Sequence, residues 1–138
     1  MSNPAPGFAK HPDYEVAIAP LNKSVQVRVG NTVVAQSDRA VLLTETRHRP
    51  VWYLPTEDLD HDLLVDSATE TYCPFKGYAN YWHIRTPEGL VEDAIWTYRT
   101  PFDECLMIAS YASFYTNKVN LYIDGKLADS RGPGWTED

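Results

Sequence analysis

Cysteine is scarce in this chain. Cys73 and Cys105 are the only two in 138 residues, too few for the disulfide framework that staples small secreted domains. There is no C-x-x-C pair, and His48, His61 and His83 are scattered, so the ligand spacing of a structural zinc is absent. Basic charge is also short: 12 Lys and Arg stand against 19 Asp and Glu, a net charge of −7. The longest basic cluster is Arg47-His48-Arg49. Nucleic acid and anionic membranes are bound through basic patches, so neither is expected as a partner. No apolar run approaches the ~18 residues of a membrane span. The N-terminus MSNPAPGFAKHPDYE lacks the apolar region of a secretory signal. These absences imply a cytoplasmic protein with reduced thiols. No phosphate-cradling G-x-x-x-x-G-K-[ST] loop occurs. Asp58-Leu-Asp60 follows Pro55 in what reads as a solvated turn, so no metal and no cofactor are expected.

What the chain does have is a 43% apolar content, which fits a folded domain rather than a disordered one. Residues 1–13 hold three prolines and a glycine and read as an N-terminal arm. From Tyr14 the pattern becomes a series of short alternating runs, the signature of strands. Candidates are Tyr14–Ala19, Ser24–Val29, Thr32–Gln36, Ala40–Thr46, Pro50–Leu54, Thr69–Cys73, Tyr78–Arg85, Leu90–Tyr98, Val119–Ile123 and Lys126–Ala128. Gly30-Asn31 and Asp124-Gly125 tolerate the positive φ of a type I′ hairpin turn, and Arg85–Gly89 makes a further hairpin. The expected fold is therefore mainly β: a single compact domain over 14–130, built of antiparallel hairpins curled into a small barrel or sandwich. Residues 131–138 read as a C-terminal tail.

One segment breaks this rhythm. TPFDECLMIASYASFY (Thr100–Tyr115) has Thr at an N-cap position, Pro101 at the first helical position and two acids in the first turn. Leu106, Ile108, Ala109, Ala112 and Tyr115 then recur at roughly helical spacing. One covering α-helix near 101–114 is predicted. A shorter helical turn is predicted at Thr56–His61, after Pro55.

TYCPFKGYANYWHI (Thr71–Ile84) carries the chemistry. Pro74 and Gly77 frame a tight turn, and alternation sorts the strand after it into two faces. Tyr78, Asn80, Trp82 and Ile84 fall on one; Ala79, Tyr81, His83 and Arg85 fall on the other. A four-residue turn puts Thr71 and Cys73 on the Trp82 side, which is the more apolar. Trp82 and Tyr78 are then core anchors, and Tyr81 and His83 face solvent or a ligand. A bulge would exchange the faces.

CPFKGYANYWHI, with AIWTYRTPFDECLMIASYASFYTNKV after it and VQVRVGNTVVAQSDRAVLLTETRHRPVWYLPTEDL before it, closely resembles domain-of-unknown-function family 427. This is a group of small, mostly bacterial proteins, and the resemblance runs from about Pro4 to about Asp129. It implies a compact β-rich domain. Some catalogues attach a nucleotidyltransferase label to the family, but the loop and paired acids of that chemistry are not visible here.

The candidate catalytic residues are Cys73, Lys76, Glu45 and His83. Cys73 has Lys76 three residues away, and a nearby cation activates a thiol; its bland alternative is a small buried hydrophobe. Lys76, held on a framed turn, can pair with an anionic group of a ligand. Arg39, Glu45, Lys76, Tyr81 and His83 are the candidates for one polar pocket. Trp96 reads as core, and Tyr98 stays open between core and pocket wall. The functional expectation is a domain that binds a small polar or anionic metabolite beside the Cys73–His83 hairpin, with transfer or hydrolysis as the conceivable chemistry. The alternative is a non-catalytic interaction or homo-oligomerisation module that uses exposed aromatics.

Overall fold

The computed structural model describes residues 2–128; the tail expected at 131–138 lies outside the described residues. The strands are β1 (Val16–Pro20), β2 (Val25–Val29), β3 (Thr32–Ser37), β4 (Val41–Glu45), β5 (Val51–Pro55), β6 (Leu64–Cys73), β7 (Gly77–Thr86), β8 (Gly89–Thr97), β9 (Tyr111–Phe114), β10 (Asn120–Ile123) and β11 (Lys126–Leu127). They make a seven-stranded sheet in the order β1-β4-β5-β9-β8-β7-β6 and a four-stranded sheet in the order β11-β10-β2-β3. The pairings are antiparallel. The larger sheet does not close on itself, so the arrangement is sandwich-like rather than a barrel.

Alternation along the strands fills two cores. Val25, Val27, Val34 and Leu121 of the small sheet pack against Leu54, Ile84, Ile95 and Phe114 of the large one. A second cluster, with Leu43, Tyr53, Ala79, Tyr81, Tyr98, Cys105 and Ile108, lies on the other face of the large sheet. Each fully buried Leu or Ile contributes about 1.5–3 kcal/mol, so both faces of the large sheet stabilise the fold.

The α-helix expected near 101–114 is not formed. Asp103–Ile108 makes 3₁₀ turns broken at Cys105 (φ −121, ψ 23), Ser110 takes φ 64, and Tyr111–Phe114 is strand β9. The N-terminal helix signals start a turn. Beyond it, Ala112 and Phe114 fill the inter-sheet core while Tyr111 packs on the opposite face, and β9 completes the ladder between β5 and β8. Tertiary pairing overrides local propensity here. The expected turn at Thr56–His61 is two short 3₁₀ pieces, Thr56–Asp58 and His61–Leu63.

The sides expected for Thr71, Tyr72 and Cys73, and the burial expected of Tyr78 and Tyr81, need correcting. Cys73 pairs with Gly77 across a turn of three residues, Pro74 to Lys76, so Thr71 joins the side of Ala79 and Tyr81. Tyr72 joins Tyr78, and their ring centroids lie 4.9 Å apart. Tyr78 is 58% exposed, not a core anchor, whereas Ala79 and Tyr81 are buried. Register shifts then interrupt both neighbours, between Asp66 and Glu70 on β6 and opposite Trp82–Ile84 on β8. Along β7 itself alternation is kept: Trp82 and Ile84, on the face of Tyr78, pack against the inter-sheet core as expected. At the hairpins, Asp124 and Gly125 both have positive φ, as a type I′ turn requires, but at Gly30-Asn31 only Gly30 does.

The large sheet is strongly coiled. Four inter-strand steps separate β4 from β7, about 19 Å in a flat sheet. Yet Glu45 at the end of β4 touches Lys76 in the β6–β7 turn. The N-terminal arm lies over this meeting point. Asn3 and Asp103 exchange hydrogen bonds, the Ala5 amide donates to Glu104, and the Gly7 amide donates to the Pro74 carbonyl at 2.9 Å. A short helix, α1 (Gly7–Lys10), follows.

Candidate functional site

The site grows from the Cys73–Gly77 turn. The Lys76 amide donates to the Cys73 carbonyl at 3.2 Å, and the Phe102 amide donates to the Lys76 carbonyl at 2.9 Å. Gly77 leaves the turn at φ 122, a conformation open to glycine and strained for other residues. The turn is thus tied to the 3₁₀ segment on one side and to the arm on the other, and it aims Lys76 inward. Lys76 Nζ donates to Glu45 Oε1 at 2.6 Å, with the two side chains only 11% and 8% exposed. The Tyr14 hydroxyl donates to Glu45 Oε2. Its ring stacks on Phe75 with centroids 3.8 Å apart. Burial, and secondarily the bond to Glu45, hold the Tyr14 phenol well above its ordinary pKa.

Above this pair opens a cleft of about 200 Å³. Glu45 and Lys76 form its charged end, and Val51, Tyr53, Tyr81, Trp96, Tyr98 and Tyr115 line the rest. Strand register explains the convergence: Tyr81 pairs with Trp96 across β7 and β8, and Tyr53 follows Val51 on the same face of β5. The Trp96 indole N–H donates to the Tyr53 oxygen at 3.1 Å. Thr71, Tyr81 and Tyr115 form a hydroxyl chain at 3.0 and 3.3 Å. The Tyr98 hydroxyl makes no hydrogen bond to another described residue; no buried side-chain nitrogen or oxygen among them lacks a partner, so this oxygen is accessible to water from the cleft. Burial raises the pKa of the Tyr53, Tyr98 and Tyr115 phenols far above the ordinary value, with contributions from neighbouring groups. They are therefore neutral hydroxyls throughout the working pH range.

Of the residues singled out from the sequence, Glu45, Lys76 and Tyr81 come together in this cleft. Lys76 meets an internal carboxylate there rather than standing free on its turn. Arg39 does not join them: it is half-exposed and pairs with Glu57 and Asp58, each at 2.8 Å. Asp58 also accepts from Ser37, so its role is to tie surface turns together. His83 lies outside the cleft, where Nδ1 accepts the Asp93 amide at 2.9 Å. Asp93, at φ 46 in the β8 bulge, takes hydroxyl donors from Ser67 and Thr69, which depress its carboxyl pKa. Cys73 packs against the second core and does not line the cleft. Cys105 is buried, and desolvation raises its thiol pKa to about 11. Tyr14, Val51, Tyr53 and Tyr115 escaped the sequence reading. The two-residue spacings Val51-x-Tyr53 and Trp96-x-Tyr98 were the available signal. Among the described residues no group of three or more His, Cys, Asp or Glu is placed to hold a metal, and no helix is long and apolar enough to cross a membrane.

A family model described as Domain of unknown function (DUF427) matches residues 17–125, a span that covers β1 to the β10–β11 turn and every residue of the cleft. No curated protein matches the chain.

Proposed function

Because this chain belongs to the domain-of-unknown-function 427 family, whose description carries no activity, we propose its function from the cleft itself: it binds a small polar molecule above the Lys76–Glu45 pair. The observation that carries this reading is the cleft itself: the Lys76–Glu45 pair, 11% and 8% exposed, forms the charged end of a hollow otherwise lined by one valine and five aromatic side chains. Aromatic walls with a few converging polar groups are also the usual build of a ligand site. At about 200 Å³ the cleft falls below the ~300 Å³ at which drug-sized pockets begin, so the ligand is compact.

The proposal is of binding. Transfer or hydrolysis through a covalent intermediate would need a protein nucleophile at the cleft, and an ammonium engaged by a carboxylate has no lone pair to offer. Cys73 is not in the lining. The test is a ligand-observed NMR screen of small metabolites on the wild type and on Val51→Phe, which fills the cleft without touching the ion pair. A set of binders lost in Val51→Phe supports the reading; binding unchanged by that substitution refutes it.

A second reading has its own observation. Tyr72 and Tyr78, 49% and 58% exposed, form a ring pair on the outer face of the β6–β7 hairpin, the type of residue that anchors interfaces. Light scattering separates the two readings: a concentration-dependent dimer lost in Tyr78→Ser favours the interaction module, and a strict monomer removes it.

A further inference from the structure

The face of the large sheet opposite the cleft is only partly covered. Along β7, Ile84 and Trp82 pack against the inter-sheet core, whereas Tyr78 is 58% exposed, so this end of the face is open. Here a hollow of about 320 Å³ is lined by Glu70, Tyr78, Asn80, Arg99 and Thr100. Arg99 is exposed; its guanidinium lies 5.8 Å from the centroid of the Trp82 ring and meets no carboxylate among the described residues. Glu70 is exposed too, and takes one long hydrogen bond, from Asn80 at 3.4 Å, and no cation among the described residues. Two opposite charges thus face one hollow, and neither has an ionic partner among the described residues. Resting on the second reading above, in which Tyr72 and Tyr78 anchor an interface, we propose that the partner is a second copy of this chain, docked about a twofold axis that runs along β7.

Strand register carries the argument. Glu70 pairs with Asn80 from the β6 side, and Thr97, two residues before Arg99, pairs with Asn80 from the β8 side. Neighbouring strands lie about 5 Å apart, so Glu70 and Arg99 flank β7 at similar distances. A half-turn about an axis along β7, in the plane of contact, exchanges the two flanks. It brings Glu70 of each copy over Arg99 of the other and sets Tyr78 against its own counterpart. Tyr72, which pairs with Tyr78 on the Glu70 side, crosses to the Arg99–Thr100 side of the second copy. Self-complementarity of this kind is what a closed isologous contact requires.

The energetics agree. Tyr72 is braced between the Tyr78 ring at 4.9 Å and the Phe102 ring at 6.3 Å, so docking orders little that is not already ordered. A chain of net charge −7 repels its own copies, which favours contact where an arginine can meet an acid and fixes the orientation. The patch is small beside the roughly 20–30 residues a side of a stable interface, so the dimer is weak and populated only at high protein concentration. The cleft, lined by Tyr81 and Trp96, is on the opposite face, and both copies keep it open.

Sedimentation velocity on the wild type, Arg99→Glu, Glu70→Arg and an equimolar mixture of the two variants tests this at up to about 1 mM chain, the weak end of the affinity scale. The wild type should self-associate, and each variant alone, with like charges facing across the axis, should do so at least about tenfold more weakly. The mixture should associate as the wild type does, because each arginine pair then meets an acid pair. The swapped double variant, Glu70→Arg with Arg99→Glu, should self-associate again. A wild type that stays monomeric over this range overturns both the proposal and the interaction reading beneath it. A dimer lost in Tyr78→Ser but indifferent to either charge reversal leaves that reading standing and overturns the twofold pairing. Weakened single variants that fail to associate when mixed overturn the pairing as well.

Discussion

Lys76→Met is the most informative single substitution. Methionine keeps the length and much of the volume of the lysine stem but removes the ammonium. Glu45, 8% exposed at its side chain, would then retain Tyr14 as its partner and lose its counter-charge. Breaking a buried pair in this way costs about 3–5 kcal/mol, because the remaining charge stays desolvated. At a slope of about 4 kcal/mol/M in guanidinium chloride, the midpoint should drop by about 1 M. Glu45→Gln strands the ammonium instead and should cost about as much. The double variant, with neither charge, should regain at least ~2 kcal/mol relative to the sum of the single losses. Equilibrium unfolding followed by tryptophan fluorescence measures all three. If the single variants each lie within ~0.5 kcal/mol of wild type, the pair behaves as a screened surface contact. The reading of the pair as a buried link between the end of β4 and the β6–β7 turn is then wrong.

The remaining predictions address the arm, the bulge and the thiols. Gly7→Ala would put a methyl 2.7 Å from the Phe75 ring, so it should cost about 1–3 kcal/mol by overpacking and expose the arm to proteolysis; unchanged cleavage and stability would contradict the docked arm. The carboxyl pKa of Asp93 is depressed by Ser67 and Thr69, so its contribution is complete above pH ~4 and is lost as pH falls through the folded value. Asp93→Asn should therefore unfold with a flatter acid limb than wild type, by less than ~1 kcal/mol for this partly exposed group; parallel curves from pH 3 to 6 would contradict it. Cys105, buried with a thiol pKa of about 11, should resist native-state labelling at pH 8 and react only on unfolding, as intact-mass spectrometry would show. Rapid labelling of Cys105 in the folded protein would place it at the surface instead.

Much of the architecture was legible because period-two alternation and turn chemistry are local signals. The ten strand candidates lie along ten of the observed strands, and Asp124-Gly125 makes the turn its residues demand. The failures occur where a non-local pairing decides. YASF reads equally as the end of a helix, and only the gap between β5 and β8 turns it into a strand. Which β6 residues share a face with Tyr78 depended on one residue of turn length, since Cys73–Gly77 pairing moves Thr71 to the side of Tyr81. Within the site, the meeting of Glu45 with Lys76 requires the coiling of a seven-stranded sheet, which no local pattern encodes. Arg39 and His83 looked comparable in sequence; nearby carboxylates claim Arg39, and the β8 bulge claims His83.

The most direct test of the binding cleft is chemical-shift mapping of a bound fragment, with the Trp96 indole N–H as reporter because it bonds to the Tyr53 oxygen inside the cleft. A small polar compound that binds should move the Trp96 indole and the amides of Lys76, Tyr81 and Tyr98 together, along one saturable curve, and leave Tyr72 and Tyr78 still. Shifts confined to Tyr72 and Tyr78, or a Trp96 indole that does not respond while other surfaces do, would contradict it.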